Sequence, residues 1–217
     1  MAEFRCKAFL FDMDGVLVDS RAIVERTWRR WAAERHPIDL ATLLHVAHGR
    51  RARDTLRIMA PSLATDAEVA WLDATELADV EGLRVLGGAN ELVSALPRNR
   101  WAIVTSCGRD LTRLRLGAVG LPAPDVLIVA EEVPRGKPAP DGYRLGAERL
   151  GYSPSDCIVF EDAPAGVAAG KASGARVLAL TTNYPPDDLP GADATIADLG
   201  SVQVHQEHDD LVVTVRF

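Results

Sequence analysis

Phe9-Leu10-Phe11-Asp12-Met13-Asp14-Gly15-Val16 decides the reading of this 217-residue chain. A short apolar run ends abruptly in two aspartates one residue apart, followed by glycine. The apolar part has the character of a strand buried on both faces, as in a parallel sheet. Residues i and i+2 of an extended chain point the same way, so Asp12 and Asp14 can address one point in space. Carboxylates that close repel strongly in a partly dry site, so the pattern is costly unless a cation waits there. A nucleophilic carboxylate, an acid/base partner and a divalent metal account for it. A bare turn after a strand is the alternative for these four residues alone. A calcium loop is not, because Val16 and Leu17 stand where that loop needs an oxygen ligand and a glycine.

Outward from this run, segments 101–105, 126–130, 157–160 and 176–180 also resemble buried strands. Helix-like stretches fall between them, at 89–96, 110–119, 143–150 and 165–173. Such alternation implies an α/β fold with right-handed crossovers and a parallel sheet covered on both faces. Ligands bind such sheets beyond the carboxyl ends of the strands, which is where Asp12 and Asp14 fall.

Segment 20–86 breaks the alternation and reads as a string of helices without a convincing strand. Ser20 can cap the first helix, whose Ile23, Thr27, Trp28 and Trp31 lie at helical spacing. Asp39 can cap a second helix that stops near Gly49. A third covers 50–59 and ends at Pro61, and Thr65 with Glu68 forms a capping-box pattern for a fourth. The expectation is a core of residues 1–19 and 87–217 with a helical insertion, 20–86, as a mobile lid or a rigid subdomain. The tail, 202–217, alternates apolar and polar residues around His208-Asp209-Asp210 and predicts a hairpin, either a structural edge or an oligomer contact.

A net charge of −7 argues against nucleic acid, whose phosphates demand basic surface. No apolar run is long enough to span a membrane, and the N-terminus shows no signal-peptide pattern. Cys6, Cys107 and Cys157, odd in number and widely spaced, favour reduced thiols and a cytoplasmic location. Of the 24 basic residues only Lys7, Lys137 and Lys171 are lysines, which makes each lysine's position informative.

Three further segments carry chemistry. Thr105-Ser106 end the second strand-like run, where a hydroxyl either caps the next helix or donates to a phosphoryl oxygen. Lys137 lies in Arg135-Gly136-Lys137-Pro138-Ala139-Pro140-Asp141, whose prolines and glycine pin the backbone around it. Phe160-Glu161-Asp162-Ala163-Pro164-Ala165-Gly166 places a second acid pair at the end of another buried strand. Two acid pairs in one sheet call for a cation, and hard oxygen ligands suit Mg²⁺.

These four segments, in this order, resemble the haloacid dehalogenase superfamily, in its phosphohydrolase branch with a helical cap inserted after the first strand. The resemblance covers essentially the whole chain and implies a Rossmann-like core, a helical cap and Mg²⁺. It implies Asp12 as nucleophile, Asp14 as general acid/base, and Thr105 and Lys137 as the residues that bind and neutralise the phosphoryl group. Met13 and Ser106 join the phosphate site on the same pattern. The metal ligands it implies are Asp12, the backbone carbonyl of Asp14, Asp162, and Glu161 either directly or through water. Dehalogenases lack the second aspartate that Asp14 supplies. Phosphonoacetaldehyde hydrolases need a lysine in the insertion, and 20–86 has none. β-Phosphoglucomutase-like transferases carry a histidine where this chain has Val24 and an arginine where it has Ala52. The segment His48-Gly49-Arg50-Arg51-Ala52-Arg53-Asp54-Thr55 is instead similar to glycerol-phosphate and 2-deoxyglucose-6-phosphate phosphatases. The implied substrate is a small phosphorylated metabolite, a sugar or polyol phosphate, with His48, Arg50, Arg51 and Asp54 as candidate selectivity residues. Each of these also fits a solvated helix start. Cys107 stands where such relatives have a glycine. A monomer or weak homodimer is expected.

Overall fold

The computed structural model describes residues 1–35 and 38–216. In chain order its elements begin with β1 (Ala2–Cys6), β2 (Ala8–Phe11), β3 (Val18–Asp19), α1 (Arg21–Arg35), α2 (Leu40–Ala47), α3 (Ala52–Met59), α4 (Asp66–Leu77) and β4 (Arg84–Val85). They continue with α5 (Ala89–Ala95), β5 (Trp101–Val104), α6 (Arg109–Val119), β6 (Val126–Ile128), α7 (Asp141–Leu150), β7 (Cys157–Glu161) and α8 (Pro164–Ser173). The chain closes with β8 (Arg176–Leu180), β9 (Ala194–Ile196), β10 (Val202–Glu207) and β11 (Asp210–Val215).

The apolar run before Asp12 becomes the central strand β2, parallel to β5 on one side and to β7 on the other. The full order is β6-β5-β2-β7-β8-β9, and every pairing is parallel. Strand order reverses direction around β2, so a crevice opens at the carboxyl ends of β2, β5 and β7. Alternation splits β2 between two cores. Phe9 and Phe11 pack with Trp101, Ile103 and Phe160 on one face, while Ala8 and Leu10 join Ala102, Val104 and Val159 on the other. Phe11 stacks on Phe160 at a centroid distance of 4.9 Å, tying the two acid-bearing strands together just below their tips.

Helices α1–α4 gather around an apolar cluster of their own, built on Trp28, Trp31, Leu43, Leu56 and Leu72. Asp39 caps α2 through the Ala41 and Thr42 amides, as the sequence predicts. Thr65 caps α4 at the Glu68 amide, but Glu68 turns its carboxylate to the Trp31 indole at 2.8 Å instead of completing the box. Burying an indole N–H without an acceptor costs more than an open capping box. Ser20 likewise does not cap α1 with its hydroxyl, which goes to Asp14 at 2.6 Å.

Four strands, β1, β3, β4 and β9, escaped the sequence reading. β4 pairs with β3 in a two-stranded ribbon where the chain enters and leaves the helical insertion, too short to carry an alternation signal. β9 extends the main sheet by three residues. β1 pairs with β11, so the expected hairpin of β10 and β11 becomes a three-stranded antiparallel sheet. The expected hairpin reached Phe217, which lies outside the described residues.

Candidate active site

Three adjacent strand ends deliver the acids and the hydroxyl. The Asp12 amide still donates to the Phe160 carbonyl at 2.9 Å, so Asp12 leaves the sheet in register beside Glu161 and Asp162. Thr105 follows β5, and its hydroxyl accepts the Cys107 amide at 3.1 Å. Lys137 enters from the loop between β6 and α7. Its ammonium lies 2.8 Å from Asp12 Oδ1 and 2.6 Å from Glu161 Oε1, and its side chain is only 6% exposed. The Tyr143 hydroxyl donates to the same Glu161 oxygen at 2.5 Å, while Glu161 Oε2 accepts the Asp162 amide at 3.0 Å. Both oxygens of Glu161 are thus engaged, and Oε1 aims Lys137 at Asp12.

Two glycines are demanded by this packing. A Cβ on Gly166 would lie 1.9 Å from the Glu161 carboxyl carbon. Gly15 has φ +80°, and a Cβ there would lie 2.0 Å from Asp162 Oδ2. The loop carrying Gly15 is held by the Thr182 hydroxyl, which donates to its carbonyl at 2.6 Å. Asn183 donates to Asp162 Oδ2 at 2.5 Å and fixes the carboxylate's rotation.

One ligand atom each from Asp12, Glu161 and Asp162 can be chosen so that all lie within 4.8 Å of one another. Burial pushes Asp12 up to about 7, with Lys137 opposing and Glu161 adding to the rise. Asp162 is pushed well above the usual carboxylate range by burial and by the charges of Glu161 and Asp12. Burial opposes the charge of Lys137, but Asp12 and Glu161 outweigh it and move the ammonium upward. Three buried carboxylates against one ammonium leave an excess of negative charge, and the donors are all hard oxygens. A small divalent cation fits that arrangement.

Asp14 belongs to a second constellation. Its Oδ1 accepts Ser20 Oγ at 2.6 Å and lies 2.8 Å from Arg115 Nη1, while its Oδ2 lies 3.1 Å from the Cys107 sulfur. Arg115, on α6, is 2% exposed and reaches with Nη2 to Glu76 of α4 at 2.5 Å. A buried arginine therefore links the motif aspartate to the helical insertion. Neither Arg115 nor Glu76 stood out in the sequence. A signal existed: Arg115 interrupts an apolar stripe four residues after Leu111, and Glu76 follows buried Leu72 by four.

A cavity of about 740 Å³, counting the space open to solvent at its mouth, lies between the strand ends and the helices. Asp12, Asp14, Thr105, Ser106 and Asp162 line its floor, and His48 and Arg50 its helical wall. Lys137 and Glu161 stand behind Asp12, outside the lining. Arg51 and Asp54 are not in the lining either; they pack against Gly136, where a Cβ would meet Asp54 Oδ2 at 2.7 Å and Arg51 Nε at 2.8 Å. Arg51 also donates to the Val133 carbonyl at 3.0 Å, so this pair fastens α3 to the lysine loop. The Met13 side chain is fully buried in the core, which leaves its backbone as the group available to a ligand. The Ser106 hydroxyl donates to the Gly49 carbonyl at 2.9 Å and ties the β5 end to the helical insertion. Asp73, Glu76, Arg115 and Asn183 also line the cavity, and none was among the expected residues.

Residues 6–174 match the family model described as haloacid dehalogenase-like hydrolase. The chain belongs to that family. Among its relatives, hexitol phosphatase A of Escherichia coli (strain K12) is 43% identical over 215 residues, covering 96% of this chain and 99% of that protein. Glycerol-1-phosphate phosphohydrolase 1 of Saccharomyces cerevisiae (strain ATCC 204508 / S288c) is 32% identical, over 92% of this chain and 85% of the yeast protein. The crystal structure of a hydrolase from Pseudomonas syringae superposes with a TM-score of 0.79 at 26% identity, covering 89% of this chain and 94% of that one. Among the described residues of this haloacid dehalogenase-like hydrolase, no helix is long and apolar enough to cross a membrane.

Proposed function

We propose that this chain is a Mg²⁺-dependent phosphatase that hydrolyses monoesters of small sugars or polyols through an aspartyl-phosphate. The observation that carries the reading is the buried triplet of Asp12, Lys137 and Asp162 at the strand ends, with Asp12 and Asp162 lining the cavity beneath the helices. The relatives named hexitol phosphatase and glycerol-1-phosphate phosphohydrolase support the substrate class.

Asp12 attacks phosphorus in line with the ester oxygen, so its O–P bond forms as the bond to the leaving alkoxide breaks. Asp14 gives that alkoxide a proton, then takes one from the water that attacks the aspartyl-phosphate and frees inorganic phosphate. Thr105 and the amides after it donate to the phosphoryl oxygens, and Lys137 offsets their charge beside Asp12. Asp12, Asp162 and the Asp14 backbone carbonyl would hold Mg²⁺, which when bound supplies further neutralisation of the phosphoryl group. Glu161, whose oxygens are taken by Lys137, Tyr143 and backbone amides, is assigned to aiming Lys137 rather than to the metal. Val24 and Ala52 both line the cavity, where a β-phosphoglucomutase-like transferase needs histidine and arginine; this supports hydrolysis over phosphoryl relay. Free Cys6, Cys107 and Cys157 support a cytoplasmic enzyme.

The test is phosphate release from a panel of hexose, hexitol and glycerol phosphates in Mg²⁺, with and without chelator. Asp12→Asn should keep the native circular dichroism and lose at least about a thousandfold in kcat/KM, since an amide is a poor nucleophile. Near-wild-type turnover by that variant, or turnover indifferent to chelation, refutes the proposal.

A further inference from the structure

The helical wall of the cavity carries hydrogen-bond acceptors. Glu76 gives Oε2 to Arg115 at 2.5 Å, and among the described residues its Oε1 takes no hydrogen bond. Asp73, one turn earlier on α4, lines the same wall. His48 has Nδ1 2.7 Å from the Leu44 carbonyl. A carbonyl can only accept, so the ring proton is on Nδ1, and Nε2 presents a lone pair. That Nε2 is buried and has no partner among the described residues, and burial moves the imidazole downward towards its neutral form. Burial also moves Glu76 upward, with Arg115 opposing, so its charge is poorly hydrated and open to donors, while Asp73 is exposed. Of the cations on this side, Arg21 Nε pairs with Glu25 at 2.8 Å, while Arg50 makes one long contact, 3.5 Å, to the Lys137 carbonyl and forms no ion pair among the described residues.

Sugar and polyol hydroxyls are donors that can meet such acceptors, whereas a second phosphate or a carboxylate would meet two carboxylates at close range. Resting on the phosphatase reading above, we propose that Glu76, Asp73 and His48 form the leaving-group subsite. They select esters whose leaving group is an uncharged, multiply hydroxylated chain, and reject bisphosphates and phosphorylated carboxylic acids. Arg115 is the positioning residue that holds Glu76 with one oxygen facing the substrate.

Three six-carbon esters separate these contributions: sorbitol 6-phosphate, 6-phosphogluconate with its terminal carboxylate, and hexyl phosphate without hydroxyls. The readout is the ratio of kcat/KM values, which cancels any general loss of catalysis. Wild type should prefer sorbitol 6-phosphate to each of the others by at least tenfold. Glu76→Ala should cut the preference over hexyl phosphate at least tenfold, chiefly through KM. Asp73→Asn and Glu76→Gln should raise 6-phosphogluconate relative to sorbitol 6-phosphate at least tenfold. If the Glu76 variants do not fold, Asp73→Asn and His48→Phe, which leave the Arg115 pair intact, carry the same comparison. Ratios that stay within twofold while all three esters change together overturn the subsite and leave Glu76 a mere support for Arg115. No phosphate release from any ester by wild type sinks the phosphatase reading, and the subsite with it.

Discussion

Replacing Arg115 by methionine should destabilise the protein markedly, and the size of the effect follows from what the guanidinium holds. Its two terminal nitrogens lie 2.8 Å from Asp14 Oδ1 and 2.5 Å from Glu76 Oε2, with the side chain 2% exposed. Removing one partner of a buried ion pair costs about 3–5 kcal/mol, because the remaining charge keeps its desolvation and loses its compensation. Asp14 retains Ser20 Oγ at 2.6 Å and is partly exposed, so the burden falls mainly on Glu76. The lower end, about 3 kcal/mol, is therefore expected. For a protein of this size that lowers Tm by about 6–12 °C. Methionine fills much of the vacated volume, which keeps any cavity contribution small. Adding Glu76→Leu should return most of the loss, since only the partly exposed Asp14 is then left without its cation. Calorimetric melts of the two single variants and the double variant complete the cycle. A fall below about 1 kcal/mol in the single Arg115→Met variant, or no recovery in the double, would refute the buried network.

Three other outcomes are expected. Asp12 is raised to about 7 in the fold, and Asp162 moves the same way, so without metal the folded state binds protons more tightly than the unfolded chain. Stability should then fall as pH rises from about 4 towards 7, and the Tm gained on adding Mg²⁺ should be larger near pH 7.5 than near pH 5.5. An equal or smaller gain at the higher pH contradicts that account. Gly166→Ala drives a methyl into the Glu161 carboxyl and should cost about 1–3 kcal/mol while lowering kcat through a misplaced Lys137; urea titration paired with kinetics reads both effects. Asp14→Asn should slow alkyl esters far more than p-nitrophenyl phosphate, whose leaving group needs no proton, and equal slowing of both would remove Asp14 from that role.

Much of the cavity floor was legible because its signals are local. An apolar run that stops at acids can be read without knowing what lies beside it. Asp12 and Asp162 each sit one step past a buried strand, and parallel βαβ topology alone brings such ends together. Lys137 stood out through scarcity and a rigid loop. The helical wall was less legible. Arg51 and Asp54 occupy the same turn of α3 as its other polar residues, and only the approach of Gly136 decides that they fasten the lysine loop instead of facing the cavity. Ser20 has the sequence of a cap, but its hydroxyl faces a carboxylate six residues back.

Short-range pattern thus determined the parallel sheet, the helical insertion and the acids at the strand tips, since burial on both faces leaves its mark on consecutive residues. Tertiary structure alone decided the partner of each charge. The Arg115–Glu76 contact joins positions 39 residues apart, and Lys137 meets Asp12 across 125, separations that no periodicity records. Charge pairing is set by distance through space in a dry interior, and chain order does not carry that distance.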